Sequence, residues 1–118
     1  MSDFGTVLSI HRQDGKSTTD ADEARVKSLT QQMVLPYDDR INDFSAFNLR
    51  YGSSSGPDGS DGILVSLTEY SFDDLDFESG QTDESLINED RPFAERFGEE
   101  LQEKLGPEYI VEVYCGHW

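Results

Sequence analysis

The chain has 118 residues, enough for one domain with its own core. Twenty-five acidic residues against nine basic ones give a net charge of -16, a field that repels nucleic-acid phosphates and anionic lipid heads and attracts basic proteins. No apolar run approaches the ~20 residues that cross a bilayer, the first residues carry no leader-like basic or apolar region, and the single Cys115 has no partner in the chain, so the expected location is the cytoplasm.

The first predicted element is a strand over Phe4 to His11, with Thr6, Leu8 and Ile10 on one face and Val7, Ser9 and His11 on the other. Gln13 to Lys16 reads as a turn. Thr18, Thr19 and Asp20 offer capping oxygens, and Asp20 with Glu23 resembles a capping box. The helix behind them carries Val26, Leu29, Thr30 and Met33 on one face and ends before Pro36. Residues 37–44 carry no decisive pattern. Phe47, Leu49 and Tyr51 then alternate as a second strand. Residues 52–62 lack any apolar side chain and are expected to form a flexible loop leading into a third strand, Ile63 to Tyr70.

After that strand, residues 71–88 show no clear periodicity and form a long acidic connection. Asn88, Asp90 and Pro92 are start signals for a second helix, whose Phe93, Phe97, Leu101 and Leu105 make an i, i+4 stripe. Gly106-Pro107 stops it. Tyr109 to Cys115 alternates as a final strand. The order β-α-β-β-α-β resembles a ferredoxin-like sandwich, an α+β fold with an antiparallel sheet and both helices on one face. The open face would then carry Val7, Ser9, Asn48, Arg50, Ser66, Thr68, Tyr70, Glu112 and Tyr114. RNA-binding sheets of that kind need a positive surround, and this chain has the opposite.

Between Glu69 and Asp90 there are nine acids and no Lys or Arg, interleaved with aromatic and aliphatic side chains. This pattern fits a docking surface on which acids steer a basic partner in and aromatic groups anchor it. The expected partner-binding residues are Phe72, Asp73, Asp74, Asp76, Phe77 and Glu78. An inhibitor or immunity protein that covers the basic surface of a nucleic-acid enzyme would carry such a face. The competing expectation is a structural domain, homodimeric through its open sheet face, whose acidity serves solubility or a salty cytoplasm.

Other chemistries find little support. An EF-hand frame on Gly62 places Pro57 first and Thr68 twelfth, where acids are needed, so no metal site is expected. Cys115 and His117, even with His11, fall short of a zinc set, and Trp118 could serve an interface as readily as end the chain loosely. Neither a phosphate-cradling glycine loop nor a nucleophile elbow occurs, so neither a cofactor nor an enzymatic activity is expected.

Overall fold

The computed structural model describes residues 3–34, 44, 47–55 and 59–117. In chain order it holds β1 (Phe4–Arg12), α1 (Asp20–Val34), β2 (Arg50–Ser55), β3 (Asp61–Tyr70), two short 3-10 turns (Phe72–Asp74 and Phe77–Ser79), α2 (Asp83–Leu105) and β4 (Tyr109–His117). The four strands form one sheet in the order β2-β3-β1-β4, and every neighbouring pair is antiparallel. The described residues thus form an α+β fold with a four-stranded antiparallel sheet and two helices.

The alternation of β1 does what it predicts. Leu8 and Ile10 are fully buried, opposite Val65 and Ile63 on one side and Val113 and Val111 on the other. Both helices feed the same cluster, α1 with Val26 and Met33, α2 with Ala94, Phe97, Leu101 and Leu105. The α2 stripe is not uniform, however. Phe97 is fully buried, whereas Phe93 is 38% exposed. Steps of four residues in a helix of 3.6 per turn drift by about 40° each, so the ends of a strict i, i+4 row cannot share one face. Gly98 lies on the buried side because a Cβ there would come within 2.7 Å of Val113, and its absence lets α2 sit close on β4.

Three expectations change. The second strand, expected on Phe47, Leu49 and Tyr51, begins only at Arg50 and takes in Gly52 to Ser55 from the expected loop 52–62, and β3 begins at Asp61; Gly56, Pro57 and Asp58 lie outside the described residues. This Gly/Ser strand is held by its ladder to β3, with Tyr51 as its inward group, donating to or accepting from Thr30 Oγ1 at 2.7 Å. The second change is at α2, which starts at Asp83 and passes through Pro92. Thr82 and Ser85 cap it reciprocally, Ser85 N–H to Thr82 Oγ1 at 3.1 Å and Thr82 N–H to Ser85 Oγ at 2.9 Å. An internal proline costs about 3 kcal/mol. The turn before it offsets that cost by burying Ile87 against Phe4 and Leu75.

The third change is a β-bulge. Thr6 pairs with Thr68 but Val7 with Ser66, so Leu67 is an extra residue and β3 reverses its side-chain parity there. Leu67 faces the core, and so do Thr68 and Tyr70, which were expected on the open face. Thr68 Oγ1 meets Thr6 Oγ1 at 2.8 Å, and the Tyr70 hydroxyl donates to Asp90 Oδ2 at 2.8 Å.

The start of α1 is set by Thr19 and Asp22, one residue before the expected capping pair. Asp22 Oδ2 accepts from Thr19 N–H (2.8 Å), and Thr19 Oγ1 accepts from Asp22 N–H (3.2 Å). Asp22 Oδ1 also accepts from the Tyr109 hydroxyl at 2.5 Å, and Arg12 stands 3.5 Å away, so one carboxylate ties α1 to β1 and β4. Burial alone would raise its pKa, but the bonds from Tyr109 and Thr19 and the charge of Arg12 outweigh burial and lower it. Asp22→Ala strips the acceptor from a buried phenol and from a helix cap. The expected loss is about 3 kcal/mol, read by urea denaturation.

Candidate functional site

Between β3 and α2 the acidic connection is an ordered strap. Ser71 caps the first 3-10 turn, with Asp74 Oδ2 accepting from its N–H at 2.8 Å and from its Oγ at 3.3 Å. Asp76 Oδ1 accepts from Ser79 N–H at 3.3 Å, and Asp76 N–H donates to Gln81 Oε1 at 2.9 Å. Gly80 ends the second turn at φ 83°, a left-handed conformation that suits glycine. Asp74 and Asp76 are therefore partly engaged in shaping the strap. Among the described residues, the side chains of Asp73 and Glu78 make no hydrogen bond or ion pair, and both residues are exposed.

The two phenylalanines of this segment have different fates. Phe72 turns inward, its ring 5.5 Å from Phe4 and stacked on His117 at 6.2 Å, in a second cluster with Leu75 and Ile87. It anchors the strap to the sheet. Phe77 points the other way and is 71% exposed, the most exposed large apolar side chain among the described residues. Phe77 is thus an exposed ring on a capped, inward-pinned segment whose sequence neighbours Asp73, Asp76 and Glu78 are exposed as well.

His117 closes the far end of the strap, its Nε2 lying 2.5 Å from Asp83 Oδ2. That contact holds the Asp83 carboxyl below its usual range. A depressed folded pKa contributes stability above the unfolded value of about 3.9 and loses it as pH falls through the folded value. Asp83→Ala should therefore melt lower than the wild type at about pH 6, with the gap narrowing in paired thermal melts as pH falls below the unfolded value and through the depressed folded one. Using the difference cancels the relief of general acid–acid repulsion that both proteins share on acidification.

No protein-family model matches the chain, and neither curated proteins nor solved structures give a match. No helix among the described residues is long and apolar enough to cross a membrane. Among those residues no group of three or more His, Cys, Asp or Glu side chains is placed to hold a metal ion. Cys115 is half-buried on the helix side of the sheet beside Phe4, and Trp118 lies outside the described residues.

Two features escaped the sequence reading. On the open face, Val7, Leu64, Ser66 and Tyr114 line a recess of about 530 Å³, in which Tyr114 is 53% exposed and the buried Ser66 Oγ has no hydrogen-bond partner among the described residues. On the other side of the sheet, Glu95, Glu99 and Glu103 of α2 border a groove of about 460 Å³ floored by Gly98, Val111 and Val113. The position of these glutamates beside a sheet edge is not legible in the sequence, because it depends on which strand α2 covers.

Proposed function

We propose that this domain binds a basic protein and works by covering that partner's surface, as an inhibitor or immunity protein does, rather than by catalysis. The observation that carries the reading is Phe77, an exposed ring on an ordered strap whose neighbours Asp73, Asp74, Asp76 and Glu78 are all exposed. Long-range attraction in a field of -16 would raise the encounter rate, and burial of Phe77 would slow release. A reducing compartment such as the cytoplasm, in which Cys115 stays a thiol, belongs to the same reading.

The fold assignment that goes with it is a ferredoxin-like sandwich. Two β-α-β units interleave in this sheet: β1 and β2 flank β3, and β3 and β4 flank β1. That arrangement of split β-α-β units supports the ferredoxin-like reading. The test of function is capture of the partner followed by stopped-flow association over a salt series. A rate that falls with salt in the wild type and loses that dependence when the four acids are neutralised supports the proposal. A salt-independent rate overturns it.

A second reading, a structural homodimer joined through the open sheet face, is favoured by the recess beside Tyr114 and the unpaired Ser66 hydroxyl. It predicts a dimer mass in light scattering at both low and high salt, reduced to the monomer by Tyr114→Lys. If the acidity is instead a halophilic adaptation, the domain should melt when salt is withdrawn.

A further inference from the structure

The outer edge of β4 runs nine residues without Pro, Lys or Arg, with Glu112 as its one carboxylate, and its ladder with β1 has no register shift. Those omissions leave out the usual devices that keep an edge strand from pairing.

One part of this edge is already occupied, and the way it is occupied shows how the rest points. The Gln102 amide donates to Tyr109 O at 2.8 Å and accepts from Val111 N–H at 2.9 Å, imitating the peptide group of a neighbouring strand. Tyr109 and Val111 therefore direct their backbone groups away from β1. Because these directions alternate along an antiparallel strand, Val113, Cys115 and His117 direct theirs the same way. Gln102 acts as an end stop, and beyond it no strand among the described residues pairs with the outer edge of β4.

Beside that edge lies the groove between α2 and β4, with Val111 and Val113 on its floor and Glu95, Glu99 and Glu103 along its rim. Every second residue of an added strand would project into this groove, at intervals of about 6.7 Å. Acids every fourth residue along a helix recur at about 6.0 Å. The two spacings are close enough for alternate Lys or Arg residues to reach Glu99 and Glu95, which lie beyond the Gln102 end stop while Glu103 lies level with it, their stems passing over the valines. Arg91, a turn earlier on α2, ends the acidic row.

We propose that the β4 edge from Val113 to His117 accepts an extended basic segment of a protein partner as a fifth strand, with the α2 glutamates selecting its charge. A second copy of this chain is a poor occupant. Antiparallel pairing of β4 with β4 would bring the glutamate rows of two α2 helices together, and like charges juxtaposed at an interface oppose association. The inference rests on the reading that the partner is basic, but it uses a surface separate from the strap.

The test needs no identified partner. The probe is a capped peptide alternating Lys and Val, compared with its Glu-for-Lys counterpart and with two versions N-methylated at one or the other set of alternate residues. Titration into the full chain, followed by amide exchange in NMR, should slow exchange at Val113 and Cys115. One N-methylated version, the one whose methyl groups face β4, should lose binding while the other keeps it. Glu95→Gln/Glu99→Gln/Glu103→Gln should weaken the peptide about tenfold, whereas neutralising Asp73, Asp74, Asp76 and Glu78 should change it by less than about threefold. Equal binding by both N-methylated versions, or by the acidic peptide, would overturn strand addition. So would protection of Val113 and Cys115 in the free protein, which would mean a second copy already pairs there. None of these results bears on the strap, whose own test is the salt series with the captured partner.

Discussion

Phe97→Ala should cost about 4 kcal/mol, most of the margin that holds a domain of this size folded. Phe97 is fully buried, and the rings of Phe44 and Phe47 stand edge-on to it at centroid distances of 5.0 and 5.6 Å. Truncation leaves a cavity lined by two rings held by other contacts, so collapse recovers little of the loss. Phe93→Ala, four residues earlier, should cost less than about 1 kcal/mol, since that ring is 38% exposed and has Arg96 over its face at 5.1 Å. Urea denaturation of the pair reads both values, with an unchanged slope as the sign that only the folded state is affected. Equal costs would mean that the helix presents its i, i+4 row differently from the packing described here.

The second large effect is on association. The combined variant Asp73→Asn/Asp74→Asn/Asp76→Asn/Glu78→Gln should slow partner association by about tenfold or more at low salt and flatten its salt dependence. Dissociation should change little. Phe77→Ala should do the reverse, leaving the association rate near that of the wild type and speeding dissociation by about tenfold, the cost of losing a buried ring at an interface. Asp73 and Glu78 should account for more of the kinetic effect than their number suggests. Asp74 and Asp76 also cap the strap, so Asn, which keeps an acceptor oxygen, is the substitution that separates charge from shape. Phe72→Ala serves as a contrast: it should loosen the strap through the contacts with Phe4 and His117 and lower the melting temperature.

How much of this was legible in the sequence depends on whether each signal is local. The alternation of β1 and β4 and the apolar face of α1 are short-range patterns, and they read correctly. The second strand read too early: Phe47, Leu49 and Tyr51 alternate, but β2 runs Arg50–Ser55, and Gly52 to Ser55 are held by hydrogen bonds to β3, a partner that sequence pattern does not display. The bulge at Leu67 is invisible for the opposite reason. Ser66, Thr68 and Tyr70 keep a perfect alternation, while the strand beneath them shifts by one residue and turns Tyr70 inward toward Asp90. Pro92 read as a helix start because prolines favour first turns, yet the Thr82–Ser85 capping pair places the start nine residues earlier at Asp83. In the candidate site, the acidic character of the strap was plain from composition. Phe72 and Phe77 looked alike, and only the packing of Phe72 on Phe4 and His117 separates the ring that anchors the strap from the ring that faces outward.

Affinity capture from host lysate, with the immobilised wild type run beside the variant that carries the four neutral substitutions and Phe77→Ala, tests the central claim most directly. The account predicts one dominant basic protein, retained by the wild type, released as salt rises, and lost from the variant. Retention of the same proteins by both columns, or of none by either, would contradict it.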